Sequence, residues 1–215
     1  MVVAALEAID EAIAVCLVQR SRAALATVAA LGADGLRRIH DIYYRGVPWA
    51  APDLRGAGRE IVDVWSRMLF ELAVANPETY LEQVAARRLK LTTLEVVILG
   101  AIDDPSATAL LVRCCRERDW LIRLHAVEGL VRRDDPAAVA AVEAAAKTDC
   151  SVVVRVAAAK GVARRDPPRG RALYLRLLDH PHLTPLLKQE IEHELEQPRC
   201  CPAEGTATSF GRSSR

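Results

Sequence analysis

The sequence contains few aromatic residues: Phe, Trp and Tyr make up 4% of its 215 residues. Ala, Val and Leu supply most of its apolar side chains instead, and this composition favours helices that pack closely through small residues. An excess of charge is also lacking, because the formal net charge is +1. The chain therefore has no overall positive potential that would recruit nucleic acid or an anionic membrane, although a local basic strip is compatible with it.

Signals for export, membrane insertion and a disulfide framework are missing as well. The apolar N-terminal stretch has no basic segment before it and is interrupted by Glu7, Asp10 and Glu11. It therefore fits neither a secretory signal nor a membrane-spanning helix. The six cysteines include no C-x-x-C pair. We therefore predict a cytoplasmic protein whose thiols are free.

The sequence also lacks the motifs of several large enzyme classes. It has no G-x-S-x-G, no P-loop and no G-x-G-x-x-G, so the turns that these motifs build for nucleophiles and phosphates are not predicted. Carboxylate pairs such as Asp134-Asp135 recur in register with a repeat, whereas a catalytic pair would be unique. We predict a non-catalytic protein with no cofactor.

Residues of the types that bind metals are concentrated only near the C-terminus. Zinc requires ligands that converge tetrahedrally, and adjacent cysteines rarely do so unaided. We therefore interpret the cluster as a turn, a polar helix and a tail, and predict no metal site, while the sequence leaves zinc binding open. The residues concerned are His180, His182, His193, Cys200 and Cys201.

The sequence does contain a recurring signal for the start of a helix. Asp104-Pro105, Asp135-Pro136 and Asp166-Pro167 each place a good N-cap residue before a proline. The cap oxygen accepts an otherwise unbonded backbone N–H, and proline has no N–H at the first helical position. The three prolines recur at one constant spacing. A fixed period of roughly 20–50 residues is typical of a solenoid.

Between these starts the apolar residues follow the 3.6-residue period of an α-helix. We predict antiparallel helix pairs over 91–102 with 105–118, 119–133 with 136–147, and 150–165 with 168–179, and a capping helix over 184–197. Further helices are predicted within 1–31, ended by the stretch Gly32–Gly35, and over 36–45, 59–75 and 77–88. Three sections follow: an irregular helical section over 1–58, a repeat array with its capping helix over 59–197, and a disordered tail over 198–215.

Two stretches of the predicted array share one pattern. The first reads Asp119-x-x-x-Arg123-x-x-Ala126-x-x-Gly129-Leu130, and in the second Arg155, Ala158 and Gly161 fall on its Arg, Ala and Gly. This pattern resembles a HEAT repeat and, more narrowly, the short HEAT-like repeats named after phycobilisome lyases. The resemblance implies an all-α fold, a right-handed α-α superhelix of the HEAT-like solenoid type.

The resemblance also implies roles for the repeated charged residues. Arg123 and Arg155 are expected to lie near the turns of adjacent units and to bond turn aspartates. With Asp104, Asp135 and Asp166 they would form a ladder that ties the units together. Small residues such as Gly129 would let neighbouring helices approach closely.

The second helix of each pair is expected to line the concave side of such an array. In the middle second helix we predict Ala141, Val142 and Ala145 to face the core. Because that helix is nearly all alanine, the outward faces would form a shallow trough flanked by basic residues, which suits an acidic helix or segment of a partner better than a small molecule. The residues predicted to face outward are Arg113, Arg116, Glu143, Lys147 and Arg176.

These observations predict a scaffold or adaptor that binds another protein through its concave helical surface. Two alternatives stay open at this point. One is an accessory subunit of a lyase-like or protein-modification enzyme, which the resemblance suggests. The other is a nucleic-acid-binding repeat protein that uses the Arg pairs, against which the near-zero net charge argues. An interface at Tyr43, Tyr44 and Trp49 is the alternative location for a protein partner.

Overall fold

The computed structural model describes residues 2–19, 21–45, 58–86 and 91–196. These residues form α-helices and no strand, so the predicted all-α class is confirmed for the described ranges. The twelve helices found there are α1 (Val2–Gln19), α2 (Arg22–Ala29), α3 (Gly32–Arg45), α4 (Gly58–Ala75), α5 (Pro77–Ala86), α6 (Thr93–Ala101), α7 (Pro105–Cys114), α8 (Trp120–Leu130), α9 (Pro136–Thr148), α10 (Val152–Arg165), α11 (Pro167–Leu178) and α12 (Pro185–Glu196). The predicted loop at 46–57 and the predicted tail at 198–215 lie outside the described residues.

The chain divides into two compact units, Met1–Ala141 and Val142–Arg215, and the division falls inside α9. In the first unit α6 packs against α7 and α8, while α4 contacts α1, α2, α3, α5 and α6. In the second unit α10 packs against α11, and α12 contacts both of them. Of the predicted pairs, α6 with α7 and α10 with α11 are therefore found as packed helices, whereas the pairing of α8 with α9 stays a prediction.

The Asp-Pro dipeptides begin helices as the sequence predicts. The Asp104 carboxylate accepts a hydrogen bond from the Ser106 N–H at 2.7 Å, and Asp135 accepts one from Ala137 at 2.8 Å. Asp166 accepts one from the Arg169 N–H at 3.0 Å. Each cap satisfies a donor of the first helical turn that has no partner inside the helix.

The N-terminal helices are joined by a partly buried ion pair that the sequence does not predict. Arg38 on α3 donates from Nε and Nη2 to the two carboxylate oxygens of Asp10 on α1, at 2.7 and 2.6 Å. The hydrogen bond to Asp10 raises the pKa of Arg38. A bidentate pair of this kind fixes the relative orientation of two helices as well as their spacing.

Two local predictions are wrong. The stretch Gly32–Gly35 opens α3 and does not simply end a helix; Gly32 adopts a φ of 58°, which glycine tolerates because it has no Cβ. In α9 Val142 is buried as predicted, together with Ala138 and Ala146, whereas Ala141 and Ala145, which we also predicted to face the core, are only half-buried. An alanine-rich helix offers little size contrast between its faces, so its apolar pattern fixes the rotation poorly.

Glycines mark two close helix contacts, one in each unit. A Cβ added to Gly129 on α8 would lie 2.9 Å from the Cα of Gly100 on α6. A Cβ added to Gly170 on α11 would overlap the backbone and side chain of Ala163 on α10. The sequence analysis predicted the role of Gly129, and the structure adds Gly100 and Gly170. Larger residues would push these helices apart.

Candidate functional site

Arg133 connects the end of α8 to the preceding pair, α6 and α7, through several hydrogen bonds. It is 8% exposed and follows α8. Its guanidinium donates to the carbonyl oxygens of Leu99 at 2.6 Å, Ile102 at 2.7 Å and Asp104 at 3.2 Å, and to Thr108 Oγ1. These acceptors lie where α6 ends and α7 begins. Arg133 therefore ties the end of α8 to the turn of the preceding pair.

The charge of Arg133 comes with a desolvation penalty. Burial lowers the pKa of its guanidinium, while the nearby carboxylates of Asp103 and Asp104 oppose that effect. The sequence does not predict this contact. The available signal was the position of Arg133 beside the repeat motif, but nothing in the sequence shows which of two adjacent arginines turns inward.

Arg123 bonds the turn that precedes its own helix, and Arg155 bonds the C-terminal end of the preceding helix, α9. Arg123 is 6% exposed and donates from Nη1 to the carbonyl oxygens of Glu117 and Arg118, both at 2.9 Å. Arg155 donates from Nη2 to the carbonyl oxygen of Lys147 at 3.0 Å. Both arginines thus connect one helix pair to the next through main-chain acceptors. Bonding of Arg123 to a turn aspartate stays a prediction.

Helix α7, the second helix of the pair α6 and α7, presents exposed arginines near its C-terminal end. Arg113 lies in the last turn of α7, Arg116 follows three residues later, and both are exposed. Neither makes an ion pair within the part of the chain that the structure describes. Ser106 and Ala109 are exposed on the same side of α7 at helical spacing. This side combines small side chains with two available guanidinium groups.

The solvent side of α9 is made of alanine, as the sequence predicts. Ala137, Ala140 and Ala144 are exposed, and Lys147 is exposed near the end of the helix. Three small side chains in a row leave the helix surface low, so that another helix could approach it closely.

Glu143 is not an available acidic group, although it was predicted to face outward. Its two carboxylate oxygens accept from Nη1 and Nη2 of Arg169 on α11, at 2.5 and 2.8 Å. Lys147 Nζ lies 3.9 Å from the same carboxylate. Of the predicted outward residues, the structure therefore brings Glu143 and Lys147 together and adds Arg169. The predicted set did not include Arg169.

Helix α11, the second helix of the pair α10 and α11, ends in another exposed arginine. Arg176 lies in the last turn of α11 and makes no ion pair among the described residues. Ala172 is exposed one turn earlier, and Leu175 is 49% exposed. The α11 surface thus repeats the combination found on α7, with an apolar side chain added.

No metal centre is found among residues 2–19, 21–45, 58–86 and 91–196, where no group of three or more His, Cys, Asp or Glu could hold an ion. The rings of His180 and His182 lie 5.8 Å apart, centroid to centroid. Cys200 and Cys201 lie outside the described residues. The thiols of Cys16 and Cys114 are free, and burial raises the pKa of Cys114 to about 11, so that this thiol is protonated at neutral pH.

None of the helices in the described residues is long and apolar enough to cross a membrane. No curated protein and no solved structure matches the chain significantly. Residues 67–163 match the family model of HEAT repeats. Proteins built from HEAT repeats generally act as scaffolds for protein–protein interaction, while similarity to the phycobilisome-lyase type stays a prediction. With this match and the helices described above, the predicted all-α, HEAT-like fold class is confirmed.

Proposed function

We propose that the chain is a non-catalytic scaffold that binds another protein through the exposed faces of its second helices, α7, α9 and α11. One observation carries the proposal. Arg113, Arg116 and Arg176 are exposed, beside small exposed side chains, and have no ion-pair partner in the described part of the chain. In arrays of two-helix repeats the second helices line the concave binding side, and we place the partner there.

The chemistry of these faces favours an acidic partner. Arginine holds a carboxylate through two parallel N–H···O bonds. Arg169 does this with Glu143 on the same kind of face, at 2.5 and 2.8 Å. Arg113 and Arg176 offer the same group without an internal carboxylate. A partner helix or extended segment carrying Asp or Glu would supply it, and exposed alanines would let that segment lie close.

Reversing the arginine charges tests the proposal. We expect Arg113→Glu with Arg176→Glu to abolish capture of the partner in affinity purification from the native host. Stability should change little, because exposed substitutions usually alter the free energy of unfolding by about 0.5 kcal/mol or less. Each single variant should show a partial loss if both faces contact the partner. A thermal melt of every variant confirms that it is folded.

The matched control is Arg132→Glu with Arg164→Glu. Both arginines are exposed and lie at the ends of first helices, α8 and α10, so the control changes the net charge equally without touching the second-helix faces. We expect it to retain the captured protein. Retained capture by the folded Arg113/Arg176 variant would overturn the proposal. Capture of nucleic acid in place of a stoichiometric protein would overturn it as well.

A further inference from the structure

The terminal helix α12 has an exposed side unlike that of an ordinary capping helix. It buries only Ile191 fully, and Leu186 at its first turn is 75% exposed. Among the large apolar side chains whose burial the structure describes, none is more exposed. A terminal helix normally presents a polar outer face. A single exposed leucine is common on protein surfaces, so its meaning depends on the charges beside it.

The charges of α12 are divided between two sides of the helix. Glu190 and Glu194 lie 3.3 and 3.2 Å from Lys160 Nζ on α10 and help to hold α12 against its neighbour. Glu192 and Glu196 are both exposed, and the ion-pair partner of Glu192 is Lys188 at 3.9 Å, on the same helix. The outer side of α12 therefore carries two exposed glutamates, with Lys188 beside one of them, and a protruding leucine.

This outer side is complementary in charge and size to the exposed side of α7. At α7 two arginines without ion-pair partners in the described residues follow two small side chains, whereas on α12 two glutamates follow a leucine and a glutamine. Both sets run in the same order from small or apolar to charged, so one helix laid along the other would bring acid against base and leucine against a small residue. The residues of the α7 side are Ser106, Ala109 and Arg113, with Arg116 in the turn that follows the helix, and those of α12 are Leu186, Gln189, Glu192 and Glu196.

We propose that α12 of one copy of this chain docks on the exposed α7 side of a second copy. This inference rests on the proposed function, because it names a second copy as a partner of one second-helix face. The contact joins two different surfaces, so each added copy leaves one α7 side and one α12 side free. Such a heterologous contact builds open chains unless its rotation closes a ring. Association is therefore expected to increase with protein concentration beyond a dimer.

Sedimentation velocity of the purified full chain tests this docking. The mean mass should rise with concentration. It should fall when salt is raised from about 0.1 M to about 1 M, because the Debye length drops from about 10 Å to about 3 Å. Glu192→Lys with Glu196→Lys should weaken association at least about tenfold, since like charges would then face each other. Arg113→Glu with Arg116→Glu should do the same.

Mixing the two charge-reversed variants gives the sharpest readout. One variant has a basic α12 and a basic α7, and the other has an acidic α12 and an acidic α7. Neither should associate alone, but an equimolar mixture should recover association. Glu78→Lys with Glu82→Lys on α5 is the matched control, because both residues are exposed four positions apart. This control should associate like the unmodified chain.

Each outcome decides the inference separately from the proposed function. A monomer at all concentrations, or two folded variants that associate like the unmodified chain, would overturn the docking of α12 on α7. A mixture that stays monomeric would also overturn it. If in these cases a different protein from the native host is still captured through Arg113 and Arg176, the proposed function stands. Another outcome is that the charge reversals change self-association as expected while Arg113→Glu with Arg176→Glu leaves capture of the other protein unchanged. In that case the α12 contact stands, and the second-helix faces have no role in binding other proteins.

Discussion

Arg123 and Arg155 occupy the same position in two successive repeats, but the structure gives them different surroundings. Arg123 is 6% exposed and bonds two carbonyl oxygens. Arg155 is half-buried, bonds one carbonyl oxygen, and leaves its buried Nε without a hydrogen-bond partner in the described residues. The turn before α8 spans 115–119, whereas the turn before α10 spans only 149–151. The longer turn supplies carbonyls that the shorter one does not.

A second pair of equivalent arginines differs even more. Arg133 is buried and donates to acceptors at the end of α6 and the start of α7, whereas Arg165, which aligns with it, is exposed. The same residue type at the same repeat position is therefore not always buried to the same degree. Whether the contact forms depends on the backbone groups that the neighbouring turns present.

The largest expected effect separates Arg133 from Arg165. We predict that Arg133→Ala lowers the free energy of unfolding by about 3 kcal/mol, because it leaves buried carbonyl oxygens without their charged donor. Arg165→Ala should lower it by less than about 1 kcal/mol, as expected for an exposed residue. Chemical denaturation of the two variants measures the difference. Equal losses would show that burial does not distinguish these positions.

The next effect compares glycines of the two units. Gly→Ala in a helix normally stabilises it by up to about 1 kcal/mol. Here we predict the opposite sign: Gly129→Ala and Gly170→Ala should each destabilise by about 1–3 kcal/mol, because the added methyl group meets the backbone of a neighbouring helix. Gly170→Ala should have the larger effect, since its contact with Ala163 is the closer one. A melting temperature that rises in either variant would contradict the close approach.

A smaller difference in the free energy of unfolding is expected between variants of Arg123 and of Arg155. Arg123→Ala should destabilise by about 2 kcal/mol and Arg155→Ala by about 1 kcal/mol. The first substitution removes the charged donor of two carbonyl oxygens, and the second removes the charged donor of one. Urea unfolding of both variants under the same conditions measures which variant loses more unfolding free energy. The reverse order would mean that side-chain packing outweighs these hydrogen bonds.

The smallest effect concerns the exposed bridge between α9 and α11. We predict that Glu143→Gln destabilises by about 0.5 kcal/mol, because Arg169 is 45% exposed and solvent screens such pairs. High salt should reduce the difference between variant and unmodified chain. The check is a pair of unfolding curves at low and at high salt. A loss as large as that of a broken buried ion pair would instead assign this bridge a structural role.

Much of the helical architecture could be predicted from the sequence, because its signals are local. Asp104, Asp135 and Asp166 identify helix starts through cap chemistry that involves only neighbouring residues. The buried side of α9 could be predicted only at Val142, because alanines on every side remove the size contrast that a period requires. The inward turn of Arg133 depends on carbonyls of the preceding helix pair, which are distant in the sequence and which no local pattern contains.

The candidate site could be predicted only in part, for a similar reason. The exposure of Arg113, Arg116 and Arg176 follows from helical periodicity, which the sequence shows directly. The neutralisation of Glu143 by Arg169 depends on which helices lie side by side, and these residues are 26 positions apart. Long-range pairs of this kind require the packing to be known before the charges can be assigned.

The measurement that tests the central claim most directly is amide hydrogen exchange of the chain with and without its purified partner. If the exposed sides of the second helices bind the partner, exchange should slow in peptides from α7 and α11, while peptides from α8 and α10 stay unchanged. Slowed exchange confined to the segment that contains Tyr43 and Tyr44, with α7 and α11 unaffected, would contradict the claim and place the interface on the N-terminal helices.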